Sequence, residues 1–393
     1  MRTCLFTPNF LPAFGGAERM ADAIVRGLLD RGHQVVVLAQ QPAPGQREPN
    51  LPYTVRRYAR PPAQHLWPER LATPLRKLHR EFAFDAVLAF YAYPNGYAAD
   101  HARAKLPGVK VVVSPRGGDL YPHFHALRKP RVKSVIARGY ARADRIVAVS
   151  RWTANRIAEV TGRQPDQLPP IDHAPNGLDL AEFDQQLEAS QNLAPLIDMP
   201  FLLQLSRLHD VKQHAVTLQA LAKIKPELDA ARMKLAIVGD GPEEPRLVKL
   251  ADELGLQGYA FFLGRRTGAE KMWLLGHAHA MVAPSREEGM PSAVLEGLAA
   301  GLPVVASGID PHREAIDDSD LPDAPTPHAA PPRASPGLFF PVGDTSKLAD
   351  QLARVIREDN RPRVAAALER RKRYDLPVML DAYDRALRAA VDA

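Results

Sequence analysis

The stretch Pro284-Ser-Arg-Glu-Glu-Gly-Met-Pro-Ser-Ala-Val-Leu-Glu-Gly-Leu-Ala-Ala-Gly-Leu-Pro-Val-Val-Ala306 decides the fold of the region around it. The apolar residues from His279 to Pro284 predict a buried strand just before it. A helix that is apolar on nearly every face follows, and Gly301 and Pro303 end it. Residues 304–306 then begin the next buried strand. This order indicates a strand–helix–strand unit of a parallel sheet.

Two acids stand eight positions apart in this stretch. Glu288 falls in the loop at the carboxyl end of the strand, where open α/β sheets bind ligands. Glu296 falls inside the apolar helix, where a carboxylate is costly unless it is hydrogen-bonded. We expect both acids to face one crevice, with the helix N-terminus attracting an anion between them. The arrangement suits a sugar nucleotide. Alternatively, Glu288 only stabilises the helix N-terminus and Glu296 pairs with a nearby Lys or Arg.

This segment resembles the Glu-x7-Glu signature of retaining glycosyltransferases with two Rossmann-like domains, the GT-B architecture, and of family 4 in particular. The resemblance implies that Glu288 contacts the transferred sugar and that Glu296 contacts the ribose of the nucleotide. It also implies that Gly289, Met290 and Pro291 line the donor site. The expected fold class is therefore α/β, with two doubly wound Rossmann-like domains facing across a cleft.

A second constellation follows the first strand of the predicted second domain. Arg207 and Lys212 stand five positions apart in a loop before a helix. Two such cations can hold a diphosphate and stabilise the charge that grows on it as it leaves, although they also suit an ordinary surface loop. The segment resembles the family's Gly-Arg-Leu-x3-Lys-Gly, with Ser206 and Gln213 in place of the glycines. The resemblance makes Arg207 and Lys212 the diphosphate ligands and, with Glu288, the catalytic residues.

Two glycine segments resemble further parts of the donor site. Phe14-Gly-Gly-Ala-Glu-Arg19 resembles the glycine loop after the first strand of the family, which makes Gly15 and Gly16 lining residues.

The segment Val238-Gly-Asp-Gly-Pro-Glu243 resembles the family's Gly-x-Gly-Pro turn beside the donor crevice, which adds Gly239 and Gly241. It lacks the third glycine of a dinucleotide fingerprint, so a hydride-transfer enzyme is disfavoured.

Arg116 lies in Ser114-Pro-Arg-Gly-Gly-Asp-Leu-Tyr121, where many family members have His. It could touch the donor phosphate or an anionic acceptor, or be a structural Arg paired with Asp119. Phe90 occupies the place of another frequent family His, so no general base is evident. Retaining transfer in this family is thought to use one face of the sugar, with the leaving phosphate accepting the proton of the acceptor, so no protein nucleophile is implied.

At 393 residues the chain predicts two domains. We place an N-terminal acceptor-side domain at 1–185, a C-terminal nucleotide-sugar-binding domain at 195–365 and closing helices at 366–393. The resemblance implies that the last helix, Val378 to Val391, crosses back onto the N-terminal domain. Residues 319–337 read as a surface loop.

Composition excludes other classes. No apolar run approaches the roughly 20 residues of a membrane span, and the N-terminus lacks a signal-peptide pattern. The single cysteine, Cys4, fits a reducing compartment, and we expect a cytoplasmic protein. No His or Cys spacing predicts zinc, so no metal or cofactor is implied beyond the nucleotide-sugar donor.

Basic residues concentrate in the first half of the chain. Residues 1–170 carry 26 Lys and Arg against 12 Asp and Glu, whereas the remainder carries 25 against 33. The segment Arg128 to Arg145 holds seven basic residues, and Arg56 to Arg80 mixes Arg and Lys with Tyr58 and Trp67. Such clusters fit attraction to anionic lipid headgroups at the inner face of a membrane, and they equally fit a solvated face. No nucleic-acid signature accompanies them.

The sequence thus predicts a retaining transferase that moves a sugar from a nucleoside-diphosphate sugar to a saccharide or lipid-linked acceptor. Acceptors typical of the family indicate cell-surface polysaccharide or lipopolysaccharide synthesis. The alternatives are a sugar-nucleotide epimerase or a phosphorylase of the same architecture, and a non-catalytic sugar-nucleotide-binding protein.

Overall fold

Two separate parallel sheets organise the chain. The first unit comprises Met1–Gly177 and Leu376–Ala393, and the second comprises Leu178–Asp375. A computed structural model describes residues 1–13, 15–59, 68–122, 124–317 and 335–393. Phe14, Trp67 and most of the predicted loop 319–337 lie outside the described residues. The predicted α/β class with two Rossmann-like domains is confirmed.

Seven strands form the sheet of the first unit: β1 (Arg2–Thr7), β2 (Gln34–Gln40), β3 (Thr54–Tyr58), β4 (Ala86–Phe90), β5 (Lys110–Ser114), β6 (Arg145–Ala148) and β7 (Ile171–His173). They are all parallel and lie in the order β3-β2-β1-β4-β5-β6-β7. Successive residues point to opposite faces of a strand, so Cys4 and Phe6 join one core while Leu5 joins the other. Both faces are buried, which explains why the central strands are continuous apolar runs.

Among the described residues, the α-helices of this unit are α1 (Gly16–Asp30), α2 (Ala72–Phe82), α3 (Tyr97–Ala102), α4 (Pro130–Ala141), α5 (Arg151–Thr161) and, from the end of the chain, α15 (Leu376–Val391). Helix α15 packs beside α1, where Gly27 leaves room for Leu380. Its Tyr383 hydroxyl lies 2.7 Å from Oγ of Ser114, and its Asp384 lies 2.8 Å from Nε2 of His33. The C-terminal helix therefore completes the first unit.

Two strands of this sheet are absent from the sequence prediction. Both β3 and β7 lie at the edges of the sheet, and β7 has only three residues. In β3 the residues Arg56 and Arg57 interrupt the apolar pattern, because an edge strand is only partly covered.

The described residues of the second unit form a sheet of six strands: β8 (Phe201–Leu205), β9 (Lys234–Val238), β10 (Ala260–Phe262), β11 (Ala280–Ala283), β12 (Val304–Ser307) and β13 (Gly337–Phe340). Its helices are α6 (Leu180–Ser190), α7 (His214–Lys223), α8 (Lys225–Ala231), α9 (Glu244–Glu253), α10 (Gly268–His277), α11 (Ser292–Ala299), α12 (Asp310–Ile316), α13 (Thr345–Arg357) and α14 (Arg361–Arg370). The parallel strand order is β10-β9-β8-β11-β12-β13. The sheet therefore grows in one direction from β8 and in the other from β11.

The boundary between the units differs from the sequence prediction. Residues 183–199 read as a polar bridge, and the first domain was expected to reach 185. The structure instead changes unit after Gly177, because α6 packs against α10 of the second unit. Asp179 caps α6 by accepting a hydrogen bond from the backbone N–H of Glu182. The polar composition of α6 reflects a helix with few buried residues rather than a linker.

Close backbone contact joins the loops that follow β8 and β9. The N–H of Leu208 donates to the carbonyl of Asp240 at 2.7 Å. A Cβ atom at Gly239, where φ is +144°, would overlap the carbonyl oxygen of Ser206, and one at Gly241 would overlap that of Leu208. Glycine is therefore required at both positions by the packing of the two loops.

In the part of the chain that the structure describes, we find no helix with the length and apolar character needed to span a bilayer.

Replacing Gly239 with Ala should lower the free energy of unfolding by about 3 kcal/mol or more, because the new methyl group meets a backbone carbonyl that cannot rotate away. Gly258→Ala is the matched control. Gly258 also has a positive φ, +78°, but no atom lies within 4 Å of the added Cβ, so a loss of about 1–2 kcal/mol is expected. Urea denaturation measures both, and equal losses would contradict the packing argument.

Candidate active site

The candidate site lies in the second unit at the carboxyl ends of β8 and β11. These strands are neighbours, yet the chain leaves them in opposite directions across the sheet. Loops that diverge in this way leave a crevice, which is the usual ligand position in open α/β sheets. The two loops are tied together, because the N–H of Arg286 donates to the carbonyl of Val211 at 2.8 Å and its guanidinium reaches Asp210 at 3.0 Å.

An ion pair between Lys212 and Glu288 joins the same two loops. The Lys212 ammonium donates to Oε1 of Glu288, and only 19% and 11% of the two side chains are exposed. Burial by itself raises the pKa of Glu288. The charge of Lys212 outweighs this effect and lowers that pKa, together with the charge that His312 carries when it is protonated at low pH and hydrogen bonds from Lys212 and Ser285. Glu288 is therefore a carboxylate at neutral pH, and Lys212 neutralises it.

His312 is a residue of this site that the sequence analysis did not single out. Its side chain is fully buried on α12, and Nδ1 lies 3.0 Å from both Oγ and the carbonyl oxygen of Ser307. Burial lowers the pKa of His312 to about 4, so the imidazole is neutral at physiological pH. Its position after β12 could have been noticed, because that loop opens on the same sheet edge as Glu288.

Glu296 lies about one turn into α11 and is only 3% exposed. Its Oε1 accepts a hydrogen bond from Nζ of Lys271 at 3.0 Å. This contact is the cation pairing that the sequence left open as an alternative. Lys271 lies on α10, and no sequence pattern connected it with Glu296. The predicted contact of Glu296 with a ribose stays a prediction.

Arg207 lies on the loop after β8 and is exposed. Within the described ranges no acid or carbonyl pairs with its guanidinium. On the same loop, Oγ of Ser206 lies 3.1 Å from Nε2 of His214, a contact that a glycine could not make. Gln213 adopts a left-handed conformation with φ of +55°, which explains the glycine of the family pattern at that position.

The residues between the two acids form the entry to α11. Gly289, Met290 and Pro291 are buried, and Pro291, at the N-cap position, makes no side-chain capping hydrogen bond. Uncapped N–H groups at a helix N-terminus favour an anion. Gly239 and Gly241 lie on the loop after β9, next to the loop of Arg207, and their packing alone accounts for their identity. Their predicted role in donor binding stays a prediction.

Gly15 and Gly16 belong to the first unit, where they begin α1 after β1. Gly15 occupies the N-cap position without a side-chain cap, and a Cβ there would collide with the carboxylate of Glu18. Glycine at this position is therefore explained by the close approach of Glu18, and the predicted role of Gly15 and Gly16 in lining the donor site stays a prediction.

Arg116 is also in the first unit, at the carboxyl end of β5. Its guanidinium donates to Asn176 Oδ1 and, at 3.2 Å, to the hydroxyl of Tyr383, and it stacks 4.9 Å from the centre of the Phe90 ring. These contacts fix the orientation of the guanidinium, and they use only two of its five N–H donors. Phe90 and Arg116 thus stand at two positions where many family members have His, and the Phe90 ring packs against the Arg116 guanidinium.

The alternative prediction that Arg116 pairs with Asp119 is wrong, because the two side chains have different partners. The Asp119 carboxylate is buried and accepts hydrogen bonds from the N–H of Ala92 at 2.8 Å and from the hydroxyl of Tyr140 at 3.0 Å. Burial raises the pKa of Asp119 to about 6, although these hydrogen bonds oppose it. Asp119 therefore anchors the turn after β4.

The site of the second unit thus combines an exposed guanidinium, an ammonium and two buried carboxylates. Cations at this edge suit a diphosphate, and carboxylates suit the hydroxyls of a sugar or ribose. Among the described residues no group of three or more His, Cys, Asp or Glu could hold a metal ion.

Family models match most of the chain. Residues 186–373 match the model described as Glycosyl transferases group 1, and residues 14–182 match the model described as Glycosyltransferase Family 4.

Relatives and a solved structure agree with these matches. The chain is 24% identical to the N-acetyl-α-D-glucosaminyl L-malate synthase of Bacillus anthracis, over 88% of this chain and 86% of the relative. It is 28% identical to the GDP-mannose-dependent α-(1-6)-phosphatidylinositol monomannoside mannosyltransferase of Mycolicibacterium smegmatis, over 77% and 79% of the two chains. A sucrose-phosphate synthase from Thermosynechococcus elongatus has the same fold, with a TM-score of 0.78 over 99% of each chain at 16% identity.

Replacing Lys212 with Met should lower the free energy of unfolding by about 3 kcal/mol, because Glu288 remains buried without its cation. The wild-type pair contributes stability above the ordinary Glu pKa of 4.5, and this contribution is lost as the pH falls below it. In Lys212→Met burial dominates and raises the pKa of Glu288, so stability should fall as the pH rises above 4.5.

Urea denaturation between pH 4 and 8 tests this reversal. Adding Glu288→Gln to Lys212→Met should restore most of the lost stability, since the uncompensated charge is removed. Lys249→Met is the control, because Lys249 is an exposed lysine paired with Glu253 and should cost less than about 1 kcal/mol. The same pH dependence in both lysine variants would show that the Lys212–Glu288 pair does not control the charge state of Glu288.

Proposed function

This chain belongs to the glycosyl transferases group 1 and has the GT-B fold, and we propose that it transfers a sugar with retention from a nucleoside-diphosphate sugar to a saccharide or lipid-linked acceptor. The observation that supports this most directly is the contact between Lys212 and Glu288 at the diverging loops of β8 and β11. It brings a phosphate-binding cation and a hydroxyl-binding carboxylate together at one point.

The charges of the site support distinct roles for its residues. The exposed Arg207 and the neighbouring Lys212 bind the diphosphate and stabilise the negative charge that develops on it. Glu288 orients the transferred sugar by accepting hydrogen bonds from the sugar hydroxyls. Glu296, which is paired with Lys271, accepts hydrogen bonds from the ribose hydroxyls. We propose that these side chains suffice without a resident metal or cofactor.

The proposed transfer takes place on one face of the sugar. The bond between the anomeric carbon and the diphosphate oxygen breaks while the acceptor oxygen forms its bond on the same side. The acceptor proton passes to the departing phosphate oxygen, and Arg207 and Lys212 stabilise the negative charge that remains on the diphosphate. Atoms and charge balance without a nucleophilic side chain.

The acceptor is proposed from charge and from the relatives. One relative is named for action on a phosphatidylinositol mannoside, which is a lipid acceptor. In α4 and just before it, Arg128, Lys129 and Lys133 are exposed and make no ion pair within the described residues. We therefore propose a membrane-borne acceptor of cell-surface polysaccharide or lipopolysaccharide synthesis, reached from the cytoplasm.

The structure narrows the basic surface that could serve this purpose. Arg138 and Arg142 both pair with the buried Asp100, and Arg145 pairs with Asp172. In the other basic stretch Tyr58 is buried against Phe6, so it is not available to a membrane. Within the segment from Arg128 to Arg145, the exposed cations Arg128, Lys129 and Lys133 are therefore the lipid contact that we propose.

Nucleoside diphosphates (UDP, GDP and ADP are the probes) should raise the thermal midpoint of the wild type, because a ligand that binds only the folded state stabilises it. Arg207→Ala and Lys212→Ala should each weaken binding of the preferred nucleotide and of inorganic pyrophosphate by about 10-fold or more, since each removes a charged hydrogen bond. Glu296→Gln should weaken binding of the nucleotide but not of pyrophosphate, which has no ribose.

Slow hydrolysis of the matching nucleotide sugar, assayed with EDTA present, separates the candidate functions. The wild type should release nucleoside diphosphate and free sugar of unchanged configuration, Arg207→Ala and Lys212→Ala should not, and Lys249→Ala should behave as the wild type. Release of an epimerised sugar would favour the epimerase, and binding without any release would favour a non-catalytic binding protein. Absence of nucleotide binding would contradict the proposal itself.

Replacing Arg128, Lys129 and Lys133 together with Gln should lower the affinity for vesicles containing phosphatidylglycerol by about 100-fold, on the basis of about 1 kcal/mol for each basic residue. Binding should also fall with added salt and be absent for pure phosphatidylcholine. The control replaces Lys249, Lys347 and Lys372, three exposed lysines of the second unit, with Gln. Flotation that is unchanged in the α4 variant would remove the proposed membrane contact.

A further inference from the structure

A chain of buried polar contacts runs from His312 to the loop that carries Glu288. Nδ1 of His312 lies 3.0 Å from the carbonyl oxygen of Ser307, which can only accept, so Nδ1 carries the proton. The same N–H reaches Oγ of Ser307 at 3.0 Å, and Oγ of Ser307 in turn donates to the carbonyl of Ser285. The side chain of Ser285 hydrogen-bonds to Glu288.

Each member of this chain is shielded from water. His312 and Ser307 are fully buried. Counted over the whole residue, backbone included, Ser285 is 4% and Glu288 is 9% exposed. A hydrogen bond in such surroundings is stronger than in water, and leaving one member unpaired is correspondingly costly. The contacts connect three elements, α12, the end of β12 and the loop after β11. They therefore fix the backbone from which Glu288 projects.

The imidazole also lies within electrostatic reach of the ion pair. The charges of Glu288 and Lys212 both act on its titration, and the imidazole in turn acts on Glu288. Its Nε2 atom is buried and has no hydrogen-bond partner among the described residues. If the side chain only filled space in an apolar core, leucine would give a more stable protein, because leucine has no ring nitrogens that need hydrogen-bond partners. The polar chain to Ser285 is the feature of the structure that requires histidine.

We propose that His312 is a positioning residue: through Ser307 and Ser285 it holds the loop that presents Glu288 to the transferred sugar. This inference rests on the proposed function, because it assigns the purpose of the chain to the orientation of a sugar by Glu288. His312 itself is fully buried and does not touch the substrate. It affects the contact between Glu288 and the sugar of the donor, and it leaves the binding of the diphosphate by Arg207 and Lys212 unchanged.

The role predicts a separation between nucleotide binding and turnover. His312→Leu keeps the volume of the side chain but removes the N–H, so the loop of Glu288 loses its anchor. Turnover of the nucleotide sugar should fall by about 10- to 100-fold, as expected when a catalytic group is misplaced by about 1 Å. Affinity for the free nucleoside diphosphate, which has no sugar, should change less than about 3-fold.

His312→Asn is the matched rescue variant. The amide of asparagine can place an N–H near the position of Nδ1, so the bond to Ser307 survives and turnover should stay within about 5-fold of the wild type. Ser307→Ala removes the next link and should reproduce the loss of His312→Leu. The double variant should lose no more than either single change, because both interrupt one chain.

The outcomes distinguish this inference from the proposed function. Wild-type turnover with full activity in His312→Leu would overturn the positioning role and leave the transferase intact. Equal loss of nucleotide binding, turnover and thermal midpoint in His312→Leu, His312→Asn and Ser307→Ala would show a general packing role, which also overturns it. Failure of the wild type to bind nucleoside diphosphates would instead overturn the proposed function and this inference with it.

Discussion

The second sheet reverses its direction of growth between β8 and β11, and the candidate site depends on that reversal. Two neighbouring parallel strands whose connections diverge leave their carboxyl ends uncovered, so the loops after them can approach side by side. Here they do approach, through the bond from Arg286 to Val211 and through the ion pair of Lys212 and Glu288. Residues 76 positions apart in the sequence thus become one charged centre.

The sequence predicted this part of the molecule well because its signals are local. A buried parallel strand is a continuous apolar run, and the apolar helix after Glu288 can only be a covered helix between two such strands. The edge strands β3 and β7 carry weaker signals, since one face or edge is exposed to water. Helix α6 was missed for the same reason, because few of its residues are buried.

The partners of the charged residues could not be predicted from the sequence. Glu296 pairs with Lys271, Arg116 with Asn176 and Tyr383, and Asp119 with backbone N–H groups. Each of these contacts joins different elements, and periodicity within one element does not determine which face of another it meets. His312 is the clearest case, since its proposed positioning role depends on Ser307 and Ser285, which lie in two other segments. Charge composition likewise did not show that four of the seven cations in the segment from Arg128 to Arg145 are paired with acids.

The ion pair of Lys212 and Glu288 raises a question of energetics that the surrounding contacts answer. If Lys212 turns to a diphosphate, as proposed, Glu288 loses its cation while it remains almost buried, which would ordinarily be costly. The hydrogen bond from Ser285 remains, and the hydroxyls of the bound sugar would supply further donors in place of the ammonium. A diphosphate without a sugar attracts the Lys212 ammonium but supplies no hydroxyl donors to Glu288. The complete donor therefore stabilises the separated pair better than the nucleotide alone, which favours the sugar-bearing ligand at the site where transfer is proposed.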